Sequence, residues 1–115
     1  MKVTLFHNPR CSKSRETLSL LQSAGIEPTV VEYLKTPLSV TAIKELLKLL
    51  DCSALEITRT NESVFRELGL ANEPATEEAL IEAIARHPVL MNRPIVCTDK
   101  GARLCRPPEL VQELL

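Results

Sequence analysis

The chain has 115 residues, 44% hydrophobic and 25% charged, which fits one globular domain and not a disordered segment. Its formal net charge of -1 leaves no broad basic face for neutralising phosphates, so nucleic acid is not expected as its main ligand. No apolar run could span a bilayer, and no basic-then-hydrophobic leader opens the sequence, so a cytoplasmic protein without a membrane role is the expectation.

Residues 2–6 alternate in polarity and end at His7-Asn8-Pro9, a strand followed by a breaker. From Ser12, the residues Thr17, Leu18, Leu21 and Ala24 recur at helical spacing, and Gly25 is placed to end that helix. The β-branched run Thr29-Val30-Val31-Glu32-Tyr33 reads as a second strand. Two strands joined by such a helix predict a right-handed βαβ unit with a parallel pair.

Ser39 is the expected cap of a helix that buries Ile43, Leu46, Leu47 and Leu50. Shorter helical pieces follow over Ala54–Arg59 and Glu62–Leu68, the latter closed by Gly69. Asn72-Glu73-Pro74 reads as a turn, and Thr76 opens a helix that ends near His87-Pro88. Ile95–Thr98 is a short strand, Asp99-Lys100-Gly101 a hairpin loop, and Ala102–Cys105 the returning strand. A last helix starts around Arg106-Pro107-Pro108-Glu109. The order predicts one α/β domain over 1–115. It would be a thioredoxin-like (glutaredoxin-like) mixed four-stranded sheet flanked by helices, with a central helical insertion.

The four cysteines, Cys11, Cys52, Cys97 and Cys105, form no CxxC pair and no metal-type doublet, so no metal site is expected. Cys52, Cys97 and Cys105 lie in or beside apolar stretches and read as small buried hydrophobes. Cys11 is different. It stands where a strand gives way to a helix, amid Arg10, Lys13 and Arg15. Unpaired N–H groups and the positive end of the helix dipole both favour a thiolate there. The same donors suit an oxyanion. His7 could orient or deprotonate this thiol, or bond only to loop backbone.

Arg93 precedes Pro94 at the loop-to-strand entry where thioredoxin-like folds carry a cis-proline facing the active cysteine, and Arg106 opens the last helix. Planar guanidinium groups bind tetrahedral oxyanions in bidentate fashion. The motifs His7-Asn8-Pro9-x-Cys11, Asn92-Arg93-Pro94-Ile95-Val96 and Leu104-Cys105-Arg106-Pro107 resemble those of glutaredoxin-coupled arsenate reductases. The likeness covers essentially the whole chain and is strongest for an arsenate-reductase-like subgroup that shares the HNPRCSKSR run.

The resemblance implies that Cys11 is the nucleophile and that Arg59, Arg93 and Arg106 surround the oxyanion, with His7, Ser14 and Pro94 in support. The Arg59 match is the loosest, and Arg66 is the alternative. It further implies a thioarsenate ester on Cys11, attack by glutathione as co-substrate, and resolution by glutaredoxin, with no bound cofactor. Nothing in the sequence argues for an obligate dimer, so a monomer is the expectation. Cys11-Ser12-Lys13-Ser14 is CxxS, which lacks the second thiol of a self-resolving dithiol and so calls for outside reductants. Ser14 is expected to donate its hydroxyl to the thiolate. Arg10 and Lys13 replace small residues of well-studied members, which makes the mouth of the site more cationic. The competing readings are a glutathione-dependent thiol/disulfide reductase and a Spx-type redox-responsive regulator. The latter group typically carries CxxC.

Overall fold

The computed structural model describes residues 2–71 and 75–115. The chain packs as two compact units, residues 1–36 with 93–115, and residues 37–92.

The first unit holds β1 (Thr4–Phe6), α1 (Ser12–Ser23), β2 (Thr29–Val31), β3 (Ile95–Thr98) and β4 (Gly101–Leu104), then a closing 3₁₀ helix over Pro108–Leu114. Its sheet has the order β2-β1-β3-β4, with β1 parallel to β2 and antiparallel to β3, and β4 antiparallel to β3. This is the mixed four-stranded sheet that the sequence predicts, and its parallel pair is the one joined through α1.

Alternation along the strands builds the core of this unit. Val3, just before β1, and Leu5 within it point to one face, and Leu5 pairs in register with Val96 of β3. Leu21 of α1 and Val111 and Leu114 of the closing helix cover that face, with Cys105 buried among them. Helix α1 ends as Gly25 predicts. Gly25 has φ 79°, its N–H donates to the Gln22 carbonyl, and the Ile26 N–H donates to that of Leu21. These two bonds form a Schellman cap, which needs a left-handed residue at this place.

The strands are shorter than the apolar runs. β2 stops at Val31 because the Glu32 carbonyl accepts the Lys35 and Thr36 N–H groups, turning the chain out of the sheet. β4 begins one residue early, at Gly101, because Thr98 pairs with Gly101 across a two-residue loop. The last helix takes the tighter 3₁₀ form throughout. The Arg93–Pro94 bond is cis, as the fold expectation required, and Arg106–Pro107 is cis as well.

The second unit is helical: α2 (Val40–Leu50), a 3₁₀ turn over Ala54–Ile57, α3 (Ser63–Glu67), α4 (Glu77–Arg86) and a 3₁₀ turn over Pro88–Leu90. The caps are the expected ones. Ser39 accepts the Ala42 N–H and Thr76 the Ala79 N–H, each at 3.1 Å. Gly69, at φ 73°, closes α3. Ile43, Leu46 and Leu47 of α2 are buried and Leu50 half-buried; α4 buries Leu80, Ile81, Ala83 and Ile84. The turn expected at Asn72-Glu73-Pro74 lies outside the described residues. Among the described residues, no helix is long and apolar enough to cross a membrane.

Candidate active site

The loop from β1 to α1 is fastened almost residue by residue. The His7 N–H donates to the Val31 carbonyl at 2.9 Å, which ties the loop to the end of β2. Asn8, a turn-former ahead of Pro9, accepts the Arg10 N–H on its side chain and the Cys11 N–H on its carbonyl, both at 3.0 Å. The Arg15 guanidinium donates to the Pro9 carbonyl at 2.9 Å. Cys11 therefore arrives at the N-cap of α1 in extended conformation, φ -92° and ψ 122°, with its carbonyl accepting the Arg15 N–H.

The Cys11 sulfur makes no full capping hydrogen bond. Burial alone would push this thiol up. The Ser14 and Lys13 amides, together with the Arg93 charge and the Arg106 side chain, outweigh burial and hold it below the ordinary cysteine value. The other three thiols go the opposite way. Burial raises Cys97 to about 11 and Cys105 to about 12. Burial, with Glu56, Glu77 and Asp51 nearby, raises Cys52. Of the four thiols, Cys11 is the one whose surroundings favour the thiolate.

The sheet brings the two arginines to the thiol. Ile95 pairs with Phe6, so Arg93, two residues upstream, lies at the end of β1 from which the Cys11 loop departs. Leu104 pairs with Ile95, and the Cys105 N–H donates to the Pro94 carbonyl at 2.9 Å, so Arg106 reaches the same end. The Arg106 guanidinium donates to the Arg93 carbonyl at 3.1 Å and stands 4.0 Å from the Cys11 sulfur. Pro94 is fully buried between these segments and β3.

Ser14 has a different role from the expected one. Its hydroxyl lies 2.5 Å from His7 Nδ1 and accepts the Asn8 N–H at 3.1 Å, so its capacity is spent on the loop and not on the thiolate. The Ser14 amide is the group that acts on Cys11. Burial lowers the His7 pKa, and Arg15 adds to this while Glu32 opposes it, so the folded loop favours the neutral imidazole. With neutral His7, both capacities of the hydroxyl are used when Ser14 donates to Nδ1 and accepts from Asn8. His7 is thereby tied to Ser14 and does not contact the sulfur through that nitrogen.

Arg59 belongs to the second unit, where its N–H donates to the Leu90 carbonyl and its guanidinium pairs with Glu62 at 2.6 Å. Arg66, the alternative, is exposed on α3 of that unit. Cys105, next to Arg106 in sequence, is fully buried in the core beside Val3 and Leu5. Sequence reasoning missed Asn8 and the Arg15–Pro9 brace. The Asn-Pro dipeptide was the available signal for the first; nothing local signals the second.

These elements define a thioredoxin-like α/β protein whose sheet presents one acidified thiol, between two arginines, at a helix N-terminus. Comparison with known proteins narrows this further. The chain belongs to the ArsC family, whose model matches residues 6–114. It is 44% identical over 115 residues to an arsenate reductase of Rhizobium meliloti, spanning 100% of this chain and 82% of that one. It is 50% identical to the uncharacterized protein YfgD of Escherichia coli, covering 99% of this chain and 97% of the relative. The solved arsenate reductase from Vibrio cholerae superposes with a TM-score of 0.96 at 45% identity, covering 100% of this chain and 98% of the other.

Proposed function

We propose that this protein reduces arsenate to arsenite through the Cys11 thiolate, drawing electrons from glutathione and glutaredoxin. The observation that carries the reading is the acidified Cys11 thiol with the Arg106 guanidinium 4.0 Å away and the Arg93 charge acting on the same sulfur. A thiolate and two cations suit a substrate that is both an anion and an electrophile. The named activity of the relatives supports the choice of arsenate.

In the first step the Cys11 thiolate attacks arsenic(V), one arsenic oxygen leaves as water after protonation, and a sulfur–arsenic bond forms. Arg93 and Arg106 hold the remaining oxygens and offset their charge. A glutathione thiolate then attacks the Cys11 sulfur. The sulfur–arsenic bond breaks with its electron pair left on arsenic, which departs as arsenite, and Cys11 is left as a mixed disulfide. Glutaredoxin attacks that disulfide and restores the Cys11 thiol. Ser14 stands where a dithiol enzyme carries its second cysteine, and its hydroxyl is engaged with His7 and Asn8. Resolution therefore comes from outside, in a reducing cytoplasm. Cys11, Arg93 and Arg106 come from one chain, so a monomer suffices.

The test is turnover of arsenate with glutathione, glutaredoxin and coupled NADPH oxidation. The wild type turns over and Cys11→Ser does not. Substantial activity in Cys11→Ser would sink the assignment. Absence of arsenate turnover in the wild type, alongside reduction of bis(2-hydroxyethyl) disulfide, would move the protein to the thiol/disulfide reductases.

A further inference from the structure

We propose that Arg10 and Lys13 form a carboxylate-binding rim that selects glutathione as the thiol partner of Cys11; this rests on the glutathione-dependent reading above. Three observations converge on these two residues. Both are exposed beside Cys11, Arg10 directly before it and Lys13 two residues after. Among the described residues neither forms an ion pair that would neutralise it. The side-chain charges that acidify Cys11 are those of Arg93 and Arg106, while Lys13 acts on the sulfur through its amide. The Arg10 and Lys13 charges are thus left over after the thiol and its anion have been served.

Their placement also goes against local stability. The first turn of a helix favours acidic residues and disfavours cations. Helix α4 obeys, with Glu77 and Glu78 in its first turn. Helix α1 has no acidic residue there and carries Lys13 instead. A local rule broken beside a reactive group is the mark of a site. The molecule as a whole is slightly acidic, so this cationic spot is not a by-product of its composition.

A partner bonded to Cys11 through sulfur must present anions within one side-chain length of that sulfur to reach this rim. Glutathione does so, with a carboxylate at each end of a tripeptide whose thiol lies in the middle. An Arg at one side of the nucleophile and a Lys one helical step beyond can each take one carboxylate.

The test follows the reaction of the reduced protein with disulfides of different charge, with no arsenate present. The Cys11 thiolate attacks one sulfur of glutathione disulfide, the Cys11–glutathione bond forms, the original disulfide breaks, and one glutathione leaves as thiolate. Rates are read by mass spectrometry for wild type, Arg10→Ala, Lys13→Ala and the double variant. Lys2→Ala, two residues before β1 and away from the Cys11 loop in sequence, is the control for loss of one charge. Neutral bis(2-hydroxyethyl) disulfide and cationic cystamine serve as the comparison probes.

The glutathione disulfide rate should fall about three-fold in each single variant and about tenfold in the double, as for exposed charge pairs. The neutral probe should change little, cystamine should speed up, and the glutathione effect should shrink at high salt. Equal falls for all three disulfides, or no fall for glutathione disulfide, would overturn the proposal. In turnover assays the double variant should raise the KM for glutathione and leave that for arsenate unchanged. A change in the arsenate KM alone would assign the rim to the oxyanion and overturn the proposal. Because the disulfide assay needs no arsenate, a protein that fails to reduce arsenate can still pass it.

Discussion

Ser14→Ala removes one oxygen from a buried polar spot that serves two partners. Ser14 is fully buried, and its hydroxyl serves two partners, His7 Nδ1 at 2.5 Å and the Asn8 N–H at 3.1 Å. His7 is itself buried, so no water replaces the missing bond at that nitrogen. Leaving a buried polar group unpaired costs about 1–3 kcal/mol, and the half-buried Asn8 N–H belongs at the low end of that range. The sum is about 2–4 kcal/mol. For a chain of this length that corresponds to a fall in Tm of about 8–16 °C. Urea unfolding of wild type and variant measures it directly. The amides of Lys13 and Ser14 survive the substitution, so the alkylation midpoint of Cys11 with iodoacetamide should stay below that of free cysteine. A stability loss under about 0.5 kcal/mol would refute the claim that this hydroxyl is what ties the loop together.

The same alkylation assay checks the arginines: Arg93→Ala and Arg106→Ala should each move the Cys11 midpoint upward, since each removes a charge that favours the thiolate. An unmoved midpoint in both would show that the helix end acts alone. His7 has a depressed folded pKa, so the unfolded chain takes up its proton first. Its contribution is fully present above its unfolded value of 6.5 and is lost as pH falls below that towards the folded value. Urea midpoints at pH 7.5 and 5.5 should therefore differ more in wild type than in His7→Gln. In the second unit, both carboxylate oxygens of Glu77 accept the buried Ala54 N–H, at 3.1 and 3.0 Å. Glu77→Ala should cost about 1.5–3 kcal/mol of stability, and thermal unfolding will show it.

What was legible in the sequence is what a single turn of chain encodes. Gly25 and Gly69 end their helices because only a residue at ease with positive φ can close those caps. Ser39 and Thr76 start theirs because a short side-chain oxygen reaches an amide three residues on. The Cys11 position at the N-cap of α1 follows from the same local grammar, and so does the direction of its pKa. Element ends were less legible. β2 stops early because of the turn after Val31, and the β-branched run Thr29–Tyr33 carries no trace of that turn.

Only the tertiary structure decided which groups meet. Ser14 is three residues from Cys11 in sequence, yet its hydroxyl turns to His7 and Asn8, because a buried oxygen goes to the partners the folded loop presents. Arg106 is 95 residues from Cys11 and reaches it because β3 lies between β1 and β4. The sequence determined by itself that one cysteine would sit at a helix N-terminus among cations. The sheet order determined which cations act on it: Arg93 and Arg106 on the sulfur, with Arg10 and Lys13 left at the rim. Caps are local because hydrogen bonds span a few residues, whereas the company a thiol keeps depends on strand pairing across the whole chain.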